Sequence, residues 1–114
     1  MVDNCIFCSI VEKNIPAEIV YEDEAVMAFN DINPKAKIHI IIIPKKHISS
    51  LTQVTDEDVP VLGKMIFSTQ ALAKEKGIGE SGFKTVINTG PDGGQVVEHI
   101  HVHLLGGEPL HGIT

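Results

Sequence analysis

The chain is poor in the features that direct a protein to a membrane, to export or to a nucleic acid. Apolar runs such as Ile40 to Ile43 fall far short of the roughly 20 residues that a bilayer-spanning helix needs. The opening residues, Met1-Val2-Asp3-Asn4-Cys5, hold no basic stretch leading into an apolar one, so no signal peptide and a cytoplasmic setting are expected. Cations are the minority: nine Lys and Arg face fifteen Asp and Glu, for a net charge of −6. That sign argues against duplex nucleic acid as a partner, because a phosphate backbone demands a positive footprint. It leaves room for a small phosphorylated ligand held by local dipoles. Cysteine is scarce, two residues in a single Cys5-x-x-Cys8 pair. Without an export signal the pair reads as half a metal site rather than as a structural disulfide. Internal repeats and low-complexity segments are missing too, so the 114 residues suit one domain, 1–114.

What is present is ordinary globular material. Hydrophobic residues make up 43% and charged residues 21%, and a chain of this size buries roughly 65% of its unfolded surface without disulfide or metal. Ile6, Phe7, Ile10 and Val11 share one face of a short helix over residues 6 to 13, which Pro16 ends. Ile19 to Tyr21 and Ala25 to Asn30 read as strands joined by the acidic turn Glu22-Asp23-Glu24, and Asp31-Ile32-Asn33-Pro34 is turn chemistry. Ile38 to Ile43, β-branched apart from His39, predicts a central strand buried on both faces and closed by Pro44. Thr55 and Asp58 resemble a capping box; Val59, Leu62, Met65, Ile66, Leu72 and Ala73 then recur with helical period as far as Gly77. One long helix over residues 56 to 76 is predicted. Strands over residues 83 to 88 and 98 to 105 flank the glycine-rich loop 90 to 94. The sum is α+β: an antiparallel sheet with one long helix packed on a face and a short N-terminal helix.

The chemistry concentrates in His99-Ile100-His101-Val102-His103-Leu104-Leu105. Strand side chains alternate, so the three imidazoles are expected on one face, neighbours roughly 6.6 Å apart, with Ile100, Val102 and Leu104 turned to the core. An imidazole near pH 7 can be a neutral nucleophile, a proton carrier, a metal ligand or a donor to phosphate. The preceding loop, Asn88-Thr89-Gly90-Pro91-Asp92-Gly93-Gly94-Gln95, has the glycines that let backbone amides approach an anion. Cys5 and Cys8 stand at zinc-ligand spacing, and later histidines are available to complete a tetrahedral site.

This His-φ-His-φ-His-φ-φ pattern resembles the signature of the histidine triad family, and its surroundings resemble the nucleotide-binding phosphoramidase branch. The likeness runs through Cys5-Ile6-Phe7-Cys8, Ile15-Pro16-Ala17, Tyr21-Glu22-Asp23, Ala28-Phe29-Asn30-Asp31-Ile32, Ile43-Pro44-Lys45-Lys46-His47-Ile48, Asn88, Gly93-Gly94-Gln95 and Leu105-Gly106-Gly107. It implies hydrolysis of purine nucleoside monophosphate derivatives, such as an adenylate joined to an amine, through a nucleotidyl-histidine intermediate in a homodimer. Dinucleoside polyphosphate hydrolysis by the same chemistry, and a non-catalytic nucleotide-binding adaptor, are the alternatives. An enzyme in which His99, His101 and His103 grip one ion is disfavoured, because three rings in line on a flat strand converge poorly.

By that resemblance His101 is the nucleophile, unprotonated at Nε2 with Nδ1 held by a fixed acceptor such as a backbone carbonyl. His103 donates to a phosphate oxygen, and His39 supports the triad from within a core network. The proton for the leaving group comes from a second imidazole or a water. Asn88 and the backbone of Gly94, Gln95 and Val96 take the phosphate and leaving-group side. Position 96 departs from many relatives, which have serine there, so only its backbone contact carries over. Asp31 accepts the ribose hydroxyls, although taken alone it is a plain Asx turn. Ile32, with Ile6, Phe7, Ile10 and Phe29, sandwiches the base, and all five also suit a core. The resemblance completes a structural zinc site with Cys5, Cys8, His47 and His99. Many relatives carry an aromatic C-terminal segment; Glu108 to Thr114 holds no tryptophan, so leaving-group preference does not carry over. His111 is expected to be solvated, as are Lys45 and Lys46 unless they steer anions.

Overall fold

The isoleucine-rich segment is the spine of the sheet. In the computed structural model, which describes residues 4–112, this strand pairs at both edges, and its side chains are buried on both faces. In chain order the elements are α1 (Ile6–Val11), β1 (Ile19–Glu22), β2 (Val26–Asn30), β3 (Ile38–Pro44), α2 (Val59–Glu75), β4 (Phe83–Val86) and β5 (Val102–Gly106). The strands form one antiparallel sheet in the order β1-β2-β3-β5-β4. This is the expected α+β architecture.

Alternation sorts the side chains into two cores. Val26, Ala28, Ile40, Ile42, Val102 and Leu104 face α2 and meet Met65 and Leu72 there. Met27, Phe29, Ile41 and Ile43 face the other way and meet Phe7, Cys8 and Ile10 of α1. His39 and His103 fall on this second face by register, since His39 lies opposite Leu105 and Ile41 opposite His103. The long helix begins later than its periodicity suggests. The Thr55–Asp58 capping box is present, but it caps a 3-10 turn over Asp56–Asp58 before α2 starts at Val59. Three acidic residues fill that first turn, and Asp58 is turned in to bond Lys46 Nζ at 2.7 Å. Gly77, at φ +75°, ends the helix as expected, in the left-handed region where a Cβ is penalised.

The last strand needs a larger correction. It starts at Val102, not near residue 98, so His99 and His101 precede it and only His103 lies within it. Pro44 explains the break. The β3–β5 ladder runs to Ile42 opposite Val102, and the next positions would pair with a residue that has no N–H. The segment instead bends, and Ile100 N bonds Ile48 O at 2.7 Å. The three imidazoles still share the α1 side, where Phe7 touches His99 and His101 and His101 touches His103. Residues 113 and 114 of the C-terminal segment lie outside the described residues, and His111 is exposed.

Candidate active site and metal centre

Main-chain partners fix the tautomers of the histidines. His101 Nδ1 lies 2.7 Å from His99 O. A carbonyl only accepts, so Nδ1 carries the proton and Nε2 the lone pair. The Lys35 amide donates to His39 Nδ1 at 3.0 Å, so the His39 proton sits on Nε2. That proton is donated to His103 Nδ1, 2.9 Å away, which leaves His103 with its own proton on Nε2. The two rings therefore differ: His101 offers a bare nitrogen and His103 a donor. Their centroids are 4.9 Å apart, and Phe7 packs edge-on against His101 at 5.1 Å.

Burial keeps these rings neutral. His99 and His103 are each pulled down to about 4, and His39 and His101 fall below the ordinary imidazole value. Desolvation is the largest cause in all four.

Both triad rings line a cleft of about 360 Å³. Ile6, Phe7, Ile10, Phe29, Asp31, Ile32, Asn88, Gly94 and Val96 line it as well. Phe7, Ile10 and Phe29 are buried and form its floor, while Ile32 and Val96 stand 88% and 90% exposed at its rim. Asp31 makes the Asx turn, its Oδ1 accepting from the Asn33 amide at 2.7 Å, while Oδ2 lies 3.4 Å from His39 Nε2.

The glycine loop is tightly closed on itself. A Cβ at Gly93 would sit 2.3 Å from Thr89 O, so only glycine fits there. Asn88 Nδ2 donates to Gly93 O at 2.7 Å. Gly94 N and Gln95 N close turns on Pro91 O and Gly90 O, so of the three amides expected at the phosphate, these two already have partners. The Gln95 side chain braces the loop, accepting from Gly90 N and donating to Ser49 O and Val97 O at 2.7 and 2.9 Å. Lys45 and Lys46 are paired with Glu22 and Asp58 and do not line the cleft.

Cys5, Cys8, His47 and His99 converge at the N-terminus of α1. His99 donates from Nε2 to Pro44 O at 2.8 Å, which turns the lone pair of Nδ1 toward the cysteines. Nδ1 lies 3.3 Å from Cys5 Sγ, 3.6 Å from Cys8 Sγ and 3.2 Å from His47 Nδ1. A tetrahedral zinc with Zn–N near 2.0–2.1 Å and Zn–S near 2.3 Å needs ligand atoms about 3.3 to 3.8 Å apart. The four donors fit zinc. Asp31, His39 and His103 also gather within 4.8 Å, but Lys35 N occupies His39 Nδ1 and the proton occupies Nε2, leaving no lone pair for an ion. His99 points away from His101 and His103, so no single ion joins the triad.

Residues 4–110 match the family model described as the C-terminal binding region of the scavenger mRNA decapping enzyme. The chain is 46% identical over 110 residues to a purine nucleoside phosphoramidase of Escherichia coli, covering 96% of this chain and 92% of the relative. It is 47% identical over 107 residues to a 14 kDa zinc-binding protein of Zea mays, covering 92% and 83%. A crystal structure of a HIT family hydrolase from Legionella pneumophila superposes with a TM-score of 0.92 at 44% identity, covering 95% of this chain and 96% of that one. The chain belongs to the histidine triad family.

Two kinds of contact in this histidine triad protein escaped the sequence. Ile41 and Val97 also line the cleft; the alternation of β3 places Ile41 on the face of His39, which was a usable signal. The Lys35 amide that sets the His39 tautomer left none, because a main-chain donor carries no residue signature.

The depressed value of His103 has a consequence for stability. An unfolded imidazole takes its proton near pH 6.5, whereas native His103 does so near 4. Between those values the unfolded state holds more protons, so the contribution of His103 is full above pH 6.5 and lost as pH falls toward 4. In urea unfolding at pH 7 and pH 5, His103→Gln is expected to lose less stability between the two than the parent; equal losses would contradict the shift.

Proposed function

We propose that this chain is a hydrolase of purine nucleoside phosphoramidates acting through a nucleotidyl intermediate on His101. The single observation that carries the reading is the Nδ1–H···O bond from His101 to His99, which leaves Nε2 unprotonated on a ring that lines the cleft. The phosphoramidase relative and the hydrolase neighbour support the same chemistry. Ile6 and Ile32 would flank the base above the Phe7 and Phe29 floor, the remaining carboxylate lone pairs of Asp31 would take the ribose hydroxyls, and Asn88 and the amide of Val96 would face the phosphate. His39 acts through His103, as a positioning residue.

Nε2 forms a bond to phosphorus as the P–N bond breaks, and the electron pair goes to the departing nitrogen. Neutral His103 stabilises charge on a phosphate oxygen through Nε2–H. It does not serve as the acid, since giving up that proton would leave an imidazolate. The amine takes its proton from water. Hydroxide equivalent to that water then attacks phosphorus, the P–Nε2 bond breaks, and the nucleotide leaves with His101 restored. One water balances both steps.

Zinc held by Cys5, Cys8, His47 and His99 would supply no step; it would pin α1 to the segment that carries His101. The protein is read as a homodimer. The sequence suggests α2 and the last strand as contact surfaces; β5 is paired on both sides, and of the two edge strands, β1 and β4, it is β4 that lies next to it. On α2, exposed Val59, Ile66 and Phe67 share a face with Gly63.

Acid-quenched enzyme incubated with adenosine 5′-phosphoramidate is expected to carry an adenylate adduct by mass spectrometry. His101→Ala should lack it and lose at least about 10³-fold in kcat; turnover surviving in that variant would sink the reading and favour an adaptor. Chelation is expected to lower Tm while turnover persists at temperatures where the chain stays folded; immediate loss of turnover would assign the metal to catalysis. Phe67→Glu should shift the sedimentation coefficient from dimer to monomer, and a parent already monomeric refutes the homodimer.

A further inference from the structure

The two cysteines differ in what can reach them. A cavity of about 380 Å³ borders the four-donor cluster on one side. Cys5 and His47 line it, and Asn4 and Glu98 add polar groups to its wall. Cys8 and His99 are wholly buried and do not line it. Cys5 Sγ accepts from the Cys8 amide at 3.3 Å, so the first sulfur is folded back over the turn that carries the second. The two sulfurs are no more than 4.8 Å apart. A disulfide needs about 2.05 Å between sulfurs and Cα atoms about 4.4 to 6.8 Å apart. Positions three apart at a helix start stand about 5 Å from one another, so rotation of the side chains alone can close the bond.

We propose that Cys5 is an oxidation site for small hydroperoxides, closing a disulfide with Cys8 that removes two of the four zinc donors. The Cys5 sulfur attacks the outer peroxide oxygen, the O–O bond breaks, and the departing oxygen takes a proton from solvent to leave as water or an alcohol. The Cys8 sulfur then attacks the Cys5 sulfenic acid, the S–O bond breaks, and hydroxide leaves and is protonated to water. The two thiolates give up two electrons, and the peroxide receives them. Glu98 on the cavity wall disfavours larger anionic oxidants such as glutathione disulfide. His47 and His99, the donors left over, are too few for a tetrahedral ion. Phe7 lies between the cysteines and packs edge-on against His101, so the segment released is the one that holds that ring. The inference rests on zinc at these donors and is independent of the transfer chemistry.

Titration of the zinc-loaded protein with hydrogen peroxide tests it, with a chromogenic chelator reading metal release. The tryptic peptide over residues 1–13 should emerge two hydrogens lighter and closed to alkylation, with one zinc released per disulfide. Dithiothreitol and added zinc are expected to restore the starting state. Glutathione disulfide at the same concentration should release zinc at least about tenfold more slowly. Under limiting peroxide with dimedone present, the parent should carry the adduct on Cys5, and Cys8→Ser should accumulate more of it. Zinc retained with both thiols reduced, an adduct appearing first on Cys8, or release by glutathione disulfide at a comparable rate overturns the site. Those results would leave the zinc reading standing; a chain that takes up no zinc overturns both.

Discussion

Pro44 is the constraint on which the site depends. Having no N–H, it ends the β3–β5 ladder and frees the following chain from the sheet. Its carbonyl then takes the Nε2 proton of His99, which turns the other nitrogen of that ring to the cysteines. The carbonyl of His99 takes the Nδ1 proton of His101. One missing donor in β3 is thus followed by two fixed imidazoles, one facing the thiols and one facing the cleft. A ladder continued through Ile100 would engage the Pro44 carbonyl with the Ile100 amide, which bonds Ile48 O instead, and the His99 ring would lose its acceptor.

Much of this order is legible in the residues, and the division follows the range of the interaction. Alternation separates Ile40 and Ile42 from Ile41 and Ile43 and so assigns both cores; the same parity sends His99, His101 and His103 to the α1 side. Thr55, Asp58 and Gly77 mark the ends of the long helix because caps are local. The sequence extends the last strand by four residues too many, because the apolar alternation of Ile100 persists where the hydrogen bonding stops. Gln95 illustrates a second limit. Its backbone is read as a phosphate-side contact, while its side chain joins Gly90, Ser49 and Val97, with Ser49 lying 46 residues away in the chain. Three main-chain partners brought together by the fold leave no pattern in composition or spacing.

The electrostatics follow from burial rather than from charge. Lysines 45, 46 and 64 are drawn into pairs with Glu22, Asp58 and Asp23, so the one lysine that lines the cleft is Lys35. Neutral imidazoles and amide dipoles remain, in surroundings where each is held at one tautomer. A fixed donor in a partly dry cleft stabilises developing negative charge without first reorienting, and an unprotonated ring is available as nucleophile over a wider pH range than a solvated one.

The same arrangement links the candidate zinc ligands to the cleft. Ile100 N on Ile48 O stitches the His47 segment to the His99 segment, and Gln95 carries that stitch to the glycine loop through Ser49 and Val97. Phe7, one residue before Cys8, packs against both His99 and His101. Displacement of α1 would therefore remove the edge that holds His101 while loosening the frame behind the loop. A zinc ion on the four donors at the helix end would oppose that displacement, and the chemistry proposed for His101 and His103 would fall to two rings whose protons are set by the His99 carbonyl and by His39.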